Sequence, residues 1–285
     1  MKHFAAYSGA EAGRDYNTVD MSEMMFRERH LPSYKAAIEA GALSVMSSFN
    51  DFDGIPASGN KWLLTDLLRD ELGFRGFVVS DYNSISEMIN HRVVADKKDA
   101  ACLALNAGLN MDMVDGSYYQ FAEELVKEGR VSEAQIDKLC KDILTMKFKL
   151  GLFDDPFRYG GEGRWEKETW LPEYLATARK VARSSMVLLK NDGAVLPLKG
   201  GEKIAIVGQA ADSRSEMTGS WAGFADYSKP VSFYEGLKAR FPHNAISVEK
   251  GCDFFDPIDG GIAKAVAAAR GADVVFMTLG LPNSY

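Results

Sequence analysis

Between residues 60 and 82 the chain changes rhythm. NKWLLTDLLRDELG sets Trp62, Leu63, Leu67, Leu68 and Leu72 on one side of a helix that Gly73 ends. GFVV then runs apolar without a break, as a buried strand does, and stops on Ser80, Asp81 and Tyr82. The same alternation recurs on both sides. KHFAAY reads as a strand. Residues 18–41 read as a helix bent near Pro32 and closed by Gly41. Residues 42–50 read as a strand, KKDAACLALNAG as a helix, and residues 109–113 as a further short apolar run. SYYQFAEELVKEG is helical, and the next helix opens on Ser132 and Gln135, the spacing of a capping box.

Repeated strand and helix implies parallel strands joined by crossovers. The strand candidates here end on polar residues, at Asn50, Asp81 and Asp112. That is the pattern of part of a (β/α) barrel, whose active site forms at the C-terminal ends of the strands. A whole barrel takes about 250 residues, and the pattern changes after roughly 150. Residues 153–178 read as a linker whose Trp165 and Trp170 are expected to lie against a surface. A second α/β pattern fills 179–285. MVLLK (186–190), IAIVG, AISVEKG and VVFMTLG are its strands, with helices between them, and the last residues form a loop. The expected fold class is therefore α/β: residues 1–152 as the C-terminal part of a (β/α)8-type barrel, then the first part of an α/β sandwich.

Composition narrows the function. A hydrophobic share of 46% supports a core, and a net charge of −7 gives no basic footprint for nucleic acid. No apolar run approaches a membrane span. Cys102, Cys140 and Cys252 lack the spacing of a zinc site or disulfide framework and read as buried, inert thiols. No metal or cofactor is expected. IAIVGQAADS lacks the further glycines that a dinucleotide fingerprint needs, since Gln209 and Ala210 follow Gly208. His30, His91 and His243 read as structural or solvated.

What remains is a set of polar residues at or near strand ends: Lys2, His3, Arg14, Asp15, Asn50, Asp81 and Asp112. A Lys–His pair beside a lone carboxylate suits a polyol: the cation and imidazole bind vicinal hydroxyls, and the carboxylate attacks or stabilises a cationic centre. Taken singly, each has a plainer role. Asp81 and Asp112 fit helix caps, Asn50 a turn residue, and Arg14 with Asp15 a surface pair.

The blocks KHFAAY, GRDYNTVD, LPSYKAAIEAGALSVMSSFN, WLLTDLLRDELGFRGFVVSDY, ALNAGLNMDM, LGLFDDPF, ARSSMVLLKNDGAVLPL, IAIVGQAAD and GSWAG come in that order. In this the chain resembles glycoside hydrolase family 3, its bacterial β-glucosidases in particular. The resemblance implies a retaining exo-glycosidase acting on terminal β-D-glucosyl residues of oligosaccharides or glucosides. It implies Asp81 as nucleophile and Lys2 and His3 as ligands of the terminal sugar's hydroxyls. Met46 is implied beside that sugar, with Phe49 where the family often has Tyr. Tyr82 and Trp221 are the candidate stacking platforms. KHFAAYSGAEAG lacks the Pro and His of the N-acetylglucosaminidase block, which favours glucosidase or xylosidase. The alternatives are a β-xylosidase and a non-catalytic sugar-binding remnant.

In the family the acid/base Glu follows a strand like VVFMTLG. Glu249 lies one strand too early and Glu235 reads as helical, so the expectation is an internal fragment without its acid/base. Such a fragment should fold poorly and hydrolyse little alone. Compartment and oligomeric state stay open, although relatives of this kind are often periplasmic or secreted.

Overall fold

The computed structural model describes residues 1–283, so Ser284 and Tyr285 of the closing loop lie outside the described residues. The chain divides into two compact units, residues 1–171 and 172–285.

In the first unit, β1 (Ser44–Met46) pairs in parallel with β4 (Phe77–Val79), Ser44 opposite Phe77 and Met46 opposite Val79. Single parallel bridges extend the ribbon on each side, Phe4 to Ser47 and Val79 to Met111. Four chain segments thus lie side by side in the order expected, but KHFAAY and residues 109–113 are strands only at one residue each. The expected strand at 42–50 shortens to β1 because the chain turns into a hairpin, β2 (Asp51–Phe52) against β3 (Ile55–Pro56).

The helix Trp62–Glu71 precedes β4 and buries Leu63, Leu64, Leu67 and Leu68 in the main core, with Phe4, Phe26, Phe74, Val78, Ile85 and Leu109. Each such side chain contributes about 1.5–3 kcal/mol through burial. From this helix Arg69 reaches the start of β4. Its Nη1 donates to Gly76 O at 3.1 Å and its Nη2 to Asn110 Oδ1 at 2.6 Å, while Asn110 Oδ1 also accepts from Val78 N at 2.8 Å. These bonds register β4 against the Met111 segment at the end away from Asp81. Pro32 lies in the first turn of the helix Leu31–Glu39, where a missing N–H costs nothing. The irregularity sits before it, in the π-type turn Phe26–His30.

The second unit holds a three-stranded parallel sheet, β6 (Ile246–Glu249), β5 (Ile204–Val207) and β7 (Val274–Met277), in the spatial order β6-β5-β7. Helices Phe233–Arg240 and Gly261–Arg270 make the crossovers. β5 is buried at every residue, as its continuous apolar run requires, and β6 and β7 are half-exposed edges.

Several expectations need correction. Residues 186–190 form no strand: no described strand offers them a ladder, and Met186, Val187, Leu188 and Leu189 are exposed. Trp165 and Trp170 are also exposed rather than laid against a surface. The segment read as linker contains the helix Arg164–Glu168 and the start of the helix Pro172–Ser185. Ser132 caps its helix by accepting from Gln135 N, but the Gln135 amide donates to Leu105 O at 2.9 Å instead of closing the box. Cys102 is buried as expected, whereas Cys140 is exposed on its helix.

Candidate active site

β4 ends by delivering Asp81 into a buried position. Asp81 Oδ1 accepts from the Tyr82 backbone N–H at 2.7 Å. Oδ2 lies 3.3 Å from His3 Nε2, within ion-pair range but misaligned for a hydrogen bond, so this buried oxygen has no hydrogen-bond donor among the described residues. The plain reading of Asp81 as a helix cap fails. The helix Ser84–Glu87 begins three residues later, and Asp115 holds its first turn by accepting from Ile85 N at 3.1 Å and Ser86 N at 3.2 Å.

His3 reaches Asp81 because Phe4 pairs alongside β1: Phe4 N donates to Met46 O and Ser48 N to Phe4 O, each at 2.8 Å. Burial, and then the neighbouring Lys2 ammonium, push the His3 imidazole below its ordinary pKa, against the opposing pull of Asp81 and Asp15. The neutral ring is thereby favoured near pH 7. Lys2 itself is exposed. Met46 is half-buried at the end of β1. Phe49 is buried and packs against two rings, Tyr7 at 5.8 Å and Tyr16 at 4.6 Å between centroids. Tyr82 is half-exposed next to the carboxylate. Asp81, His3, Lys2, Met46, Phe49 and Tyr82 therefore lie in the first unit at or beside neighbouring strand ends. Trp221 belongs to the second unit, exposed in the loop after the turn Ser215–Thr218.

Asn50 is buried and serves the backbone, donating from Nδ2 to Ala5 O and Asp51 O. Asp112 is not the N-cap, which is Gly116, but it serves the first turn of the helix Ser117–Lys127 by accepting from Tyr118 N at 3.1 Å. Its half-buried carboxyl is pushed above the ordinary value chiefly by desolvation. Arg14 is exposed. Asp15 Oδ1 accepts from the Tyr16 backbone N–H at 3.0 Å. Glu87 is also pushed up, by burial first and then by Asp115, Asp81 and Asp15. Sequence reasoning passed over Tyr7 and Tyr16, since neither falls in a periodic pattern. Among the described residues no group of three or more His, Cys, Asp or Glu could hold a metal.

Comparison with known proteins gives the family. Residues 1–146 match the glycosyl hydrolase family 3 N terminal domain, and residues 186–285 match the family 3 C-terminal domain. The chain belongs to glycosyl hydrolase family 3. It is 39% identical to a periplasmic beta-glucosidase of Salmonella typhimurium over 98% of its own length and 40% of that relative. It is 36% identical to a beta-xylosidase of Formosa agariphila, again over 98% of this chain and 40% of the relative. The crystal structure of a beta-glucosidase from Listeria innocua superposes with a TM-score of 0.84 at 37% identity, covering 99% of this chain and 38% of that one. A mutant of that enzyme has been solved in complex with laminaribiose. The chain thus spans about two fifths of the length of the relatives it matches.

Proposed function

We propose that this chain carries the nucleophile side of a retaining β-glucosidase acting on terminal non-reducing β-D-glucosyl residues. The observation that carries the reading is the juxtaposition of Asp81 and His3, 3.3 Å apart, on the two segments that flank β1. In this reading residues 1–152 are the later part of a (β/α)8-type barrel, 153–178 a linker, and 179–285 the first part of an α/β sandwich. The parallel order Phe4, β1, β4, Met111 supports the barrel part.

The chemistry follows from the carboxylate. Asp81 attacks the anomeric carbon, the bond to the glycosidic oxygen breaks, and a glucosyl ester forms. Water then cleaves the ester with a second inversion, so configuration is retained. Lys2 and neutral His3 donate to sugar hydroxyls, Met46 and Phe49 flank the ring, and Tyr82 offers a stacking face. The aglycone needs a proton from a second carboxylate about 5–5.5 Å from the first. Glu235 is not that group: its carboxylate accepts from Ser232 N at 2.8 Å and pairs with Arg214 Nη2 at 2.5 Å.

A test that bypasses the acid is an aryl β-glucoside with a 2,4-dinitrophenyl leaving group, supplied with azide. Dinitrophenolate departs without a proton, and azide attacks the ester without a general base. Release of dinitrophenolate with formation of β-glucosyl azide, abolished by Asp81→Ala, is the expected result. No release with correctly folded chain overturns the proposal. Faster turnover of the matching xyloside redirects it to a β-xylosidase.

A further inference from the structure

The turn that carries Asp81 has little support of its own. Ser84 N donates to Asp81 O at 3.1 Å, Asn83 takes left-handed backbone (φ 61°), and the helix that follows, Ser84–Glu87, is a single turn. One helical turn does not hold itself, because fixing its dihedrals costs more free energy than its first hydrogen bonds supply. Asp115 secures two of its N–H groups, and a second hold comes from hydroxyls. Those of Ser58 and Ser84 are hydrogen-bonded at 2.7 Å, and those of Ser47 and Ser58 at 2.8 Å. All three residues are buried. Ser47 follows β1 and lies between the segments that carry His3 and Asp81. It bridges to Phe4, next to His3, and its N–H donates at 2.9 Å to Val79 O, two residues before Asp81. Ser58 is firmly mounted. Its turn, Ala57–Gly59, is tied back to Asn50 O by the Ala57 N–H at 3.0 Å, and a Cβ on Gly59 would fall 2.7 Å from Met88 Sδ.

We propose that Ser58 is a positioning residue: its hydroxyl, oriented by Ser47, holds Ser84 and through it the turn that sets Asp81 against His3. Buried as they are, the hydroxyls of Ser47 and Ser84 lose a partner outright when residue 58 has none to offer, and the turn is left to Asp115 alone. The inference rests on the reading of Asp81 as nucleophile. Its first experiment, however, reads the turn without turnover.

The probe is hydrogen exchange of the Ser84 backbone amide, followed by NMR in the full chain beside the amides of the buried helix Trp62–Glu71. Ser58→Ala should accelerate the Ser84 amide about tenfold and leave the helix unchanged, a local opening and not a loss of global stability. Ser84→Ala cuts the same bond and should act alike, and the double variant should add little to either, since the two hydroxyls act as a unit. Ser47→Ala keeps the Ser58–Ser84 bond and should change the amide less. In the dinitrophenyl assay at saturating azide, Ser58→Ala should lower kcat about tenfold while KM stays within about twofold, as when the reacting group is slightly misplaced and the sugar's ligands are not. An unchanged Ser84 amide in Ser58→Ala, or an acceleration shared by the helix, overturns the proposal, and so does an unchanged kcat. If Ser58→Ala does not fold, Ser84→Ala decides by the same readings. Local acceleration in a chain that never releases dinitrophenolate would leave the hold on the turn standing and sink only the reading of Asp81 as nucleophile.

Discussion

β4 and β5 are both short parallel strands between helices, and they end in opposite ways. β4 runs out into Ser80, Asp81 and Tyr82, and the last backbone N–H there holds a carboxylate. β5 runs into Gly208, whose φ of 122° and tight surroundings admit no side chain: a Cβ there would fall 2.3 Å from Thr278 O. Thr278 N also donates to Val207 O at 2.8 Å, so β7 closes the exit of β5 with backbone. The C-terminal end of a parallel strand is therefore an opportunity for chemistry and not chemistry itself. What decides is whether the neighbouring segment leaves space for a side chain or fills it. The Gly208 that tempts a nucleotide reading is needed for this close approach.

Substitutions at the two strand ends should act differently. The largest effect is expected at β4: Asp81→Asn should lower dinitrophenolate release by about 10⁴-fold, as loss of a nucleophile does, while the urea transition of the first unit changes little. Retained release would mean that the β4 end is as closed to chemistry as the β5 end. Next is Gly208→Ala, which should cost about 3 kcal/mol through left-handed strain and the clash with Thr278 O, read as a lower urea midpoint for the second unit. Asp81 chemistry should survive it. A smaller loss, about 1–2 kcal/mol, is expected for Ser232→Ala. That change removes the capping box with Glu235 and the bond from Ser232 Oγ to Asp212.

The smallest effect is in pH. His3 has a folded pKa below its unfolded value of 6.5, so the unfolded chain takes up the proton first. Its contribution to stability is complete above pH 6.5 and is lost as pH falls through the folded value. His3→Gln should flatten that part of the stability–pH curve for the first unit and leave the second unit's curve unchanged. A curve of unaltered slope would show that the imidazole is not desolvated beside Asp81.

Much of this was legible in local sequence. The leucine stripe of residues 62–72 produced a buried helix, and the run before Asp81 produced β4. Ser132 reads as a cap from its spacing and is one. The reading failed where an element depends on a partner. MVLLK has strand composition, but a strand needs a ladder, and no described segment supplies it. Gln135 has the spacing of a capping box, yet Leu105 O on a neighbouring helix is its acceptor. Tyr7 carries no pattern at all, because its importance lies in which rings it touches.

The sequence by itself determined that the chain is α/β, that it belongs to its family, and that a carboxylate stands at the end of a buried strand. Each of these follows from interactions or motifs short in range along the chain. Only the tertiary structure decided that His3 lies beside Asp81, that Phe49 sits between two tyrosines, and that Thr278 seals Gly208. Those contacts join residues far apart in sequence, through parallel pairing whose register no local pattern encodes.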